Sequence, residues 1–266
     1  DYPVYCIRAE SIKKSAKFFK DNFPGKVLYA VKTNPNEQVI KQIISSGIED
    51  FDGNITPKLL TELAKDISGC QIQLETAYSL KLQDSLEKRK LDMIVAADLG
   101  QAQDWMDVYP VVKDPFVVAA PKGLIKQNGS ELEQLLNIPF IRYSSAQAMG
   151  QSIDAHLLRQ RINISHKFEL DSYHASLALV ANKAAWTITT PLGFLHAQRF
   201  HSGVDLLPLP MRSLTRTISV LSRSGGFDQM PRHIAALIKL LLDRTIVADM
   251  IKAFPWLKKD FCILET

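Results

Sequence analysis

Pro139-Phe140-Ile141-Arg142-Tyr143-Ser144-Ser145 opens the stretch whose pattern decides the fold. Phe140 to Tyr143 reads as a short apolar strand, two serines follow, and Ala148 to Arg161 has helical spacing. Lys167 to Leu170 is again a strand, Ser172 to Lys183 a helix, Thr187 to Thr189 a strand, and Pro191 to Gln198 a helix with proline in its first turn. Strands that alternate with helices are parallel, because only a crossover returns the chain in the same direction.

The alternation extends both ways. Towards the C-terminus, Thr217 to Ser222 is a strand and Pro231 to Phe254 one long helix. Towards the N-terminus come strands at Phe116 to Ala120 and Met93 to Ala97, a helix at Ser79 to Arg89, an alternating strand at Gln71 to Thr76 and a helix at Pro57 to Asp66. Before these, Tyr2 to Ile7, Lys26 to Val31 and Ile48 to Asp52 are strands. Helices at Ala9 to Asn22 and Glu37 to Ser46 separate them, giving a βαβαβ segment. The fold class is α/β.

The 266 residues are 46% hydrophobic and 23% charged, enough for one large domain or two modest ones. The net charge of +4 is mild and its Lys and Arg are spread along the chain, so charge argues neither for nor against nucleic acid. Cys6, Cys70 and Cys262 lie far apart with no C-x-x-C pair, which predicts neither a disulfide framework nor a zinc knuckle. No apolar run is long enough to span a bilayer and the start lacks a signal-peptide pattern, so a cytoplasmic location is expected. His156, His166, His174, His196, His201 and His233 show no metal-ligand spacing, and no metal is expected.

From Gly53 to Leu257 the residues resemble the effector-binding domain of LysR-type transcription regulators. The resemblance rests on Leu91-Asp92-Met93-Ile94-Val95, on Phe116 to Pro121, on Pro139 to Ser145, on Ala185 to Pro191, and on Leu206 to Pro210 followed by Arg216 to Val220. It implies two Rossmann-like lobes of periplasmic-binding-protein type, the second at about 140–215, with a small-molecule effector between them. It also implies a homodimer. No helix-turn-helix precedes Gly53, so this chain by itself is expected not to bind an operator specifically.

Residues 2–52 resemble a different family. Pro3-Val4-Tyr5, Phe23-Pro24-Gly25-Lys26-Val27-Leu28-Tyr29-Ala30-Val31-Lys32-Thr33-Asn34-Pro35-Asn36, and Gly47 through Asp52 are similar to the start of pyridoxal-phosphate-dependent ornithine and diaminopimelate decarboxylases. That resemblance implies part of a (β/α)8 barrel, with Lys32 as the Schiff-base lysine. It ends at Asp52, and a complete barrel needs about 250 residues. The chain therefore reads as a chimera, a barrel-like fragment over 1–52 and a LysR-type domain over 53–266. Ile48 to Asp52 stands where the first lobe needs a strand.

These resemblances set the candidate residues. Ser144 and Ser145 follow a strand and precede a helix, where hydroxyls and backbone amides suit a carboxylate. Ser79 and Thr190 hold comparable places at helix starts, with simple N-capping the competing role for each. Ser79, Ser144 and Ser145 are expected to face one cleft. Asp50-Phe51-Asp52 puts two carboxylates near the first strand's end, where they would repel an anion. The function expected is effector sensing without a cofactor. The alternatives are a pyridoxal-phosphate decarboxylase using Lys32, or a recombined chain with neither activity.

Overall fold

The computed structural model describes residues 14, 28–29, 50–51, 75, 77–97, 103–227 and 229–265. The chain divides into two compact units, Asp1–Leu60 and Thr61–Thr266. In the first, β1 (Leu28–Tyr29) and β2 (Asp50–Phe51) pair in parallel, Leu28 opposite Asp50 and Tyr29 opposite Phe51. Lys14 is helical. Lys32, the joint at 52/53, the rest of the expected N-terminal elements and the strand at Gln71 to Thr76 apart from Glu75 lie outside the described residues.

The described elements of the second unit start with α1 (Ser79–Glu87) and β3 (Met93–Ala97), and the ten-residue β4 (Met106–Pro115) leads almost directly into β5 (Val117–Pro121). Then come α2 (Glu131–Leu136), β6 (Phe140–Tyr143), α3 (Ala148–Arg159), β7 (His166–Leu170), α4 (Tyr173–Ala181), β8 (Trp186–Thr189) and α5 (Pro191–Leu195). A 3-10 turn, Gln198–Gly203, precedes β9 (Val204–Leu207), and β10 (Thr215–Arg223) precedes α6 (Met230–Leu242). A π-helical turn, Asp243–Val247, joins α6 to α7 (Ala248–Ala253), and a second 3-10 turn, Pro255–Lys259, reaches β11 (Cys262–Ile263).

These strands form two sheets, hence two lobes. Among the described residues the first has the order β11-β4-β10-β3, each of these pairs antiparallel. The second has the order β7-β6-β8-β5-β9, parallel across β7, β6 and β8 and antiparallel where β5 meets β8 and β9. The second sheet thus takes in Val117–Pro121 as well as the strands from Phe140 on. The chain enters the second lobe after Pro115 and leaves it before Thr215, two residues that face each other across the β4–β10 pair. One residue beyond, the Phe116 N–H donates to the Leu214 carbonyl at 2.8 Å.

Each lobe has its own core. Phe116, Val118, Ala120, Phe140, Met149, Ile153, Trp186 and Ile188 fill the second. β5 and β8 are buried at every residue, as strands covered on both faces must be. Burying a side chain such as Ile188 contributes about 1.5–3 kcal/mol. Leu82, Leu86, Ile94, Ala96, Met106 and Leu221 cluster in the core of the first lobe. On α6, Pro231, Ile234, Ala235, Ile238 and Leu242 recur at helical spacing and turn inward. Among the described residues no helix is long and apolar enough to cross a membrane.

Candidate functional site

The parallel strands β7, β6 and β8 end side by side, and the residues that follow them are Asp171, Ser144 and Thr190. β6 connects onward to β7 on one flank, and the chain leaving β8 goes to the other. The crevice outside β6 and β8 is therefore the point where the winding reverses, the usual ligand position in such sheets.

Helix α3 starts at this crevice. Gln147 stands at its N-cap, but the side chain donates instead to the Asp171 carbonyl at 3.0 Å, so no side chain caps the helix. The first-turn N–H groups and the positive end of the helix dipole are left for another acceptor. Ser144 is half-buried beside them. Its N–H donates to the Leu170 carbonyl at 3.1 Å and its hydroxyl accepts only a long 3.4 Å bond from the Ala146 N–H. Ser145 is exposed, with its carbonyl taken by Gln151. By contrast α4 is capped by its own Ser172, which accepts from the Ala175 N–H.

The first lobe meets this place through α1. The Tyr78 hydroxyl donates to Asp171 Oδ2 at 3.1 Å, a bond from the residue before α1 to the loop after β7. Ser79 is the first residue of that helix, half-buried, and its hydroxyl accepts from the Ala97 N–H at 3.3 Å, at the carboxyl end of β3. Tyr78, Asp171 and Gln147 thus form a chain of contacts that runs from the start of α1 to the start of α3.

Thr190 is fully buried and heavily used. Its hydroxyl accepts from the Gly193 N–H at 3.1 Å as the cap of α5, and from Arg216 at 3.0 Å. Arg216 on β10 also pairs with Asp114 on β4, its Nε donating to Oδ2 at 2.9 Å. The Leu192 N–H reaches the other Asp114 oxygen at 3.5 Å. Burial pushes the Asp114 carboxyl upward, while Arg216, Thr190 and the Leu192 N–H pull against it. This knot ties the start of α5 to the two strands that connect the lobes, and sequence reasoning missed it.

Sequence reasoning also missed three hydroxyls behind the crevice. Those of Tyr143, Ser176 and Thr189 are buried and make no well-formed hydrogen bond among the described residues, with Thr189 and Ser176 lying against the Tyr143 hydroxyl. Burial raises the Tyr143 phenol above its ordinary value, so it stays a neutral donor. Tyr173 packs against the same place, its ring 5.6 Å from that of Tyr143. Among the described residues no group of three or more His, Cys, Asp or Glu is placed to hold a metal.

Comparison with known proteins gives one family. The sequence profile of the LysR substrate binding domain matches residues 47–245, so the match takes in Ile48 to Asp52 as well as the part from Gly53. No curated protein matches. Among solved structures, the chain is similar to a reduced form of OxyR from N. meningitidis, at 18% identity, 79% of this chain, 93% of that one and a TM-score of 0.57. It is similar to the CcmR regulatory domain of Synechocystis PCC6803 in complex with 2-PG, at 14% identity, 71% and 91% coverage and a TM-score of 0.59. The effector binding domain of QuiR in complex with shikimate gives 14% identity, 71% and 90% coverage and a TM-score of 0.55. At these identities the likeness is one of fold. None of these matches supports the decarboxylase resemblance of residues 2–52.

Proposed function

Since this chain belongs to the family of LysR substrate binding domains, we propose that it is a sensor without catalytic activity whose effector is a small carboxylate held in the crevice outside β6 and β8. The family makes it an effector-binding module. The choice of a carboxylate rests on one observation, the α3 N-terminus, which opens at the switch point with no side-chain cap and with Ser144 beside it. The carboxylate would accept from the first-turn N–H groups and from the Ser144 and Ser145 hydroxyls. Ser79 would face it from α1, while Thr190, committed to Gly193 and Arg216, would hold the wall in place. The CcmR regulatory domain is seen in complex with 2-PG and the effector binding domain of QuiR in complex with shikimate, which agrees with a small-molecule ligand here. The working assembly we infer is a homodimer, on the family alone.

A thermal-shift screen with small carboxylates and amino acids tests the proposal. A ligand at 100 times its Kd stabilises the folded chain by about 2.7 kcal/mol, which is readily seen. At least one carboxylate should raise Tm, and Ser144→Trp, which fills the crevice, should abolish the rise. A shift that survives Ser144→Trp would put the effector elsewhere, and no shift with any carboxylate would remove the assigned class. In the same preparation, pyridoxal phosphate followed by borohydride should leave Lys32 unmodified. Trapping at Lys32 with turnover of ornithine, lysine or diaminopimelate would restore the decarboxylase reading.

A further inference from the structure

Away from that crevice, a half-open cavity of about 800 Å³ lies where the second lobe's β9, α5 and first 3-10 turn meet the π-helical turn, α7 and second 3-10 turn of the first lobe. None of Ser79, Ser144, Ser145 and Thr190 lines it. Its volume is in the range of small-molecule sites, and a π-helical turn, here Asp243–Val247, is a rare element that recurs at functional sites.

Its walls are aromatic and come from both lobes. The Phe194 ring meets Phe254 edge-on at 6.2 Å, and Phe254 meets Trp256 edge-on at 6.2 Å. His201 stacks on Phe194 at 3.7 Å and its Nε2 donates to the Phe194 carbonyl at 2.8 Å. Burial holds that imidazole below its usual range, so it brings no charge near neutral pH. The other polar lining is acidic on balance. Lys122 and Asp205 neutralise each other at 2.8 Å, and the Gly123 N–H donates to Asp205 as well. Asp249 is exposed to the cavity mouth with no hydrogen bond or ion pair among the described residues.

We propose that this cavity is a second ligand site, for an organic cation with an aromatic or branched aliphatic body. A single unbalanced carboxylate in an aromatic-walled cavity selects positive charge twice over. Asp249 attracts an ammonium directly, and the negative faces of Phe254 and Trp256 attract it through their quadrupoles. The apolar body would displace water from Ile246, Met250 and Leu207. A carboxylate ligand suited to the α3 crevice would be repelled here. Because the two walls belong to different lobes, an occupant favours one lobe angle over others. Its affinity is then coupled reciprocally to that of any ligand gripping both lobes at the crevice.

Isothermal titration of the whole chain with three probes of one shape tests the site: phenethylammonium, 2-phenylethanol and 3-phenylpropionate. Phenethylammonium should bind at one site, at least about tenfold tighter than the alcohol, and the carboxylate should give no heat at this site. Asp249→Asn should remove that advantage while leaving the Tm of the free chain unchanged, and Trp256→Ala should weaken both bound probes. Asp249→Asn should leave any carboxylate-induced rise in Tm intact, which separates this site from the crevice. Equal affinity for ammonium and alcohol, full binding by Asp249→Asn, or no binding of phenethylammonium at millimolar concentration would each overturn the proposal.

Discussion

Asp114 has no exposed surface and its partner Arg216 almost none, so each depends on the other for its solvation. Removing one member of such a pair strands a buried charge. Asp114→Ala should therefore destabilise the chain by about 3–5 kcal/mol. The double replacement Asp114→Leu with Arg216→Met should recover most of that, which urea unfolding of the single and double variants will show. His156 gives a pH dependence. Burial lowers its pKa, against a 2.9 Å bond to the Arg212 carbonyl. Below about pH 6.5 the unfolded chain takes up a proton that the folded chain refuses. Stability from this residue is therefore full above that pH and lost as pH falls through the lowered folded value, by at most about 1.4 kcal/mol per unit. Tm measured from pH 8 to 5 should fall less steeply for His156→Gln than for the parent. At this scale the sequence was legible only in part. It marked Thr190 as either cap or ligand contact, and the structure shows a capping hydroxyl that also receives Arg216. The available signal was Asp114 itself, a carboxylate that with Lys113 stands between the apolar pairs Val111-Val112 and Val117-Val118.

Among the elements, α3 carries the crevice and Gly150 sets its position. A Cβ at Gly150 would come within 2.7 Å of the Tyr143 carbonyl oxygen and closer still to that of Ser144, both backbone atoms at the end of β6. Gly150→Ala should therefore push the helix off the strand end and cost about 1–3 kcal/mol, despite alanine's better helix propensity. Carboxylate binding should weaken with it, read by thermal shift of the same variant. The helices show how local pattern misplaces ends. Periodicity carried α1, α3 and α4 to Arg89, Arg161 and Lys183, but they stop two residues earlier. Those three residues have φ of 58°, 56° and 58°, the left-handed conformation that glycine usually supplies just past a helix. A basic residue there gives no stop signal in sequence. β4 escaped notice for a related reason, since Pro110, Lys113, Asp114 and Pro115 all argue against a strand. Pro110 is accommodated because the register shifts beside it, Val112 facing Ile218 and Pro110 facing Ser219, which leaves Val111 as the extra residue of a bulge. The expected helix from Pro231 to Phe254 is interrupted by the π turn at Asp243–Val247, where the Thr245 hydroxyl donates to the Leu241 carbonyl at 2.6 Å.

For the molecule as a whole, the alternation of strands and helices around Ser144 made the parallel part of the second lobe readable, because crossover connections leave a strong period in sequence. The antiparallel pairs described in the first lobe were less so. Its strands β4, β10 and β11 come from distant parts of the chain, and nothing local announces which of them will pair. The same connectivity has a practical consequence. Residues 116–214 form an insertion within the first lobe, and its two ends are held one hydrogen bond apart by Phe116 and Leu214. All five strands of the second sheet and the whole of its core cluster fall inside that insertion. A polypeptide of residues 116–214 alone should fold cooperatively, giving a dispersed amide spectrum and a single unfolding transition. Neighbouring termini also make this half a candidate for circular permutation, with new ends cut at the exposed loop near Gly129. The lobe is thus a transplantable module, one that a host protein could accept at a single loop.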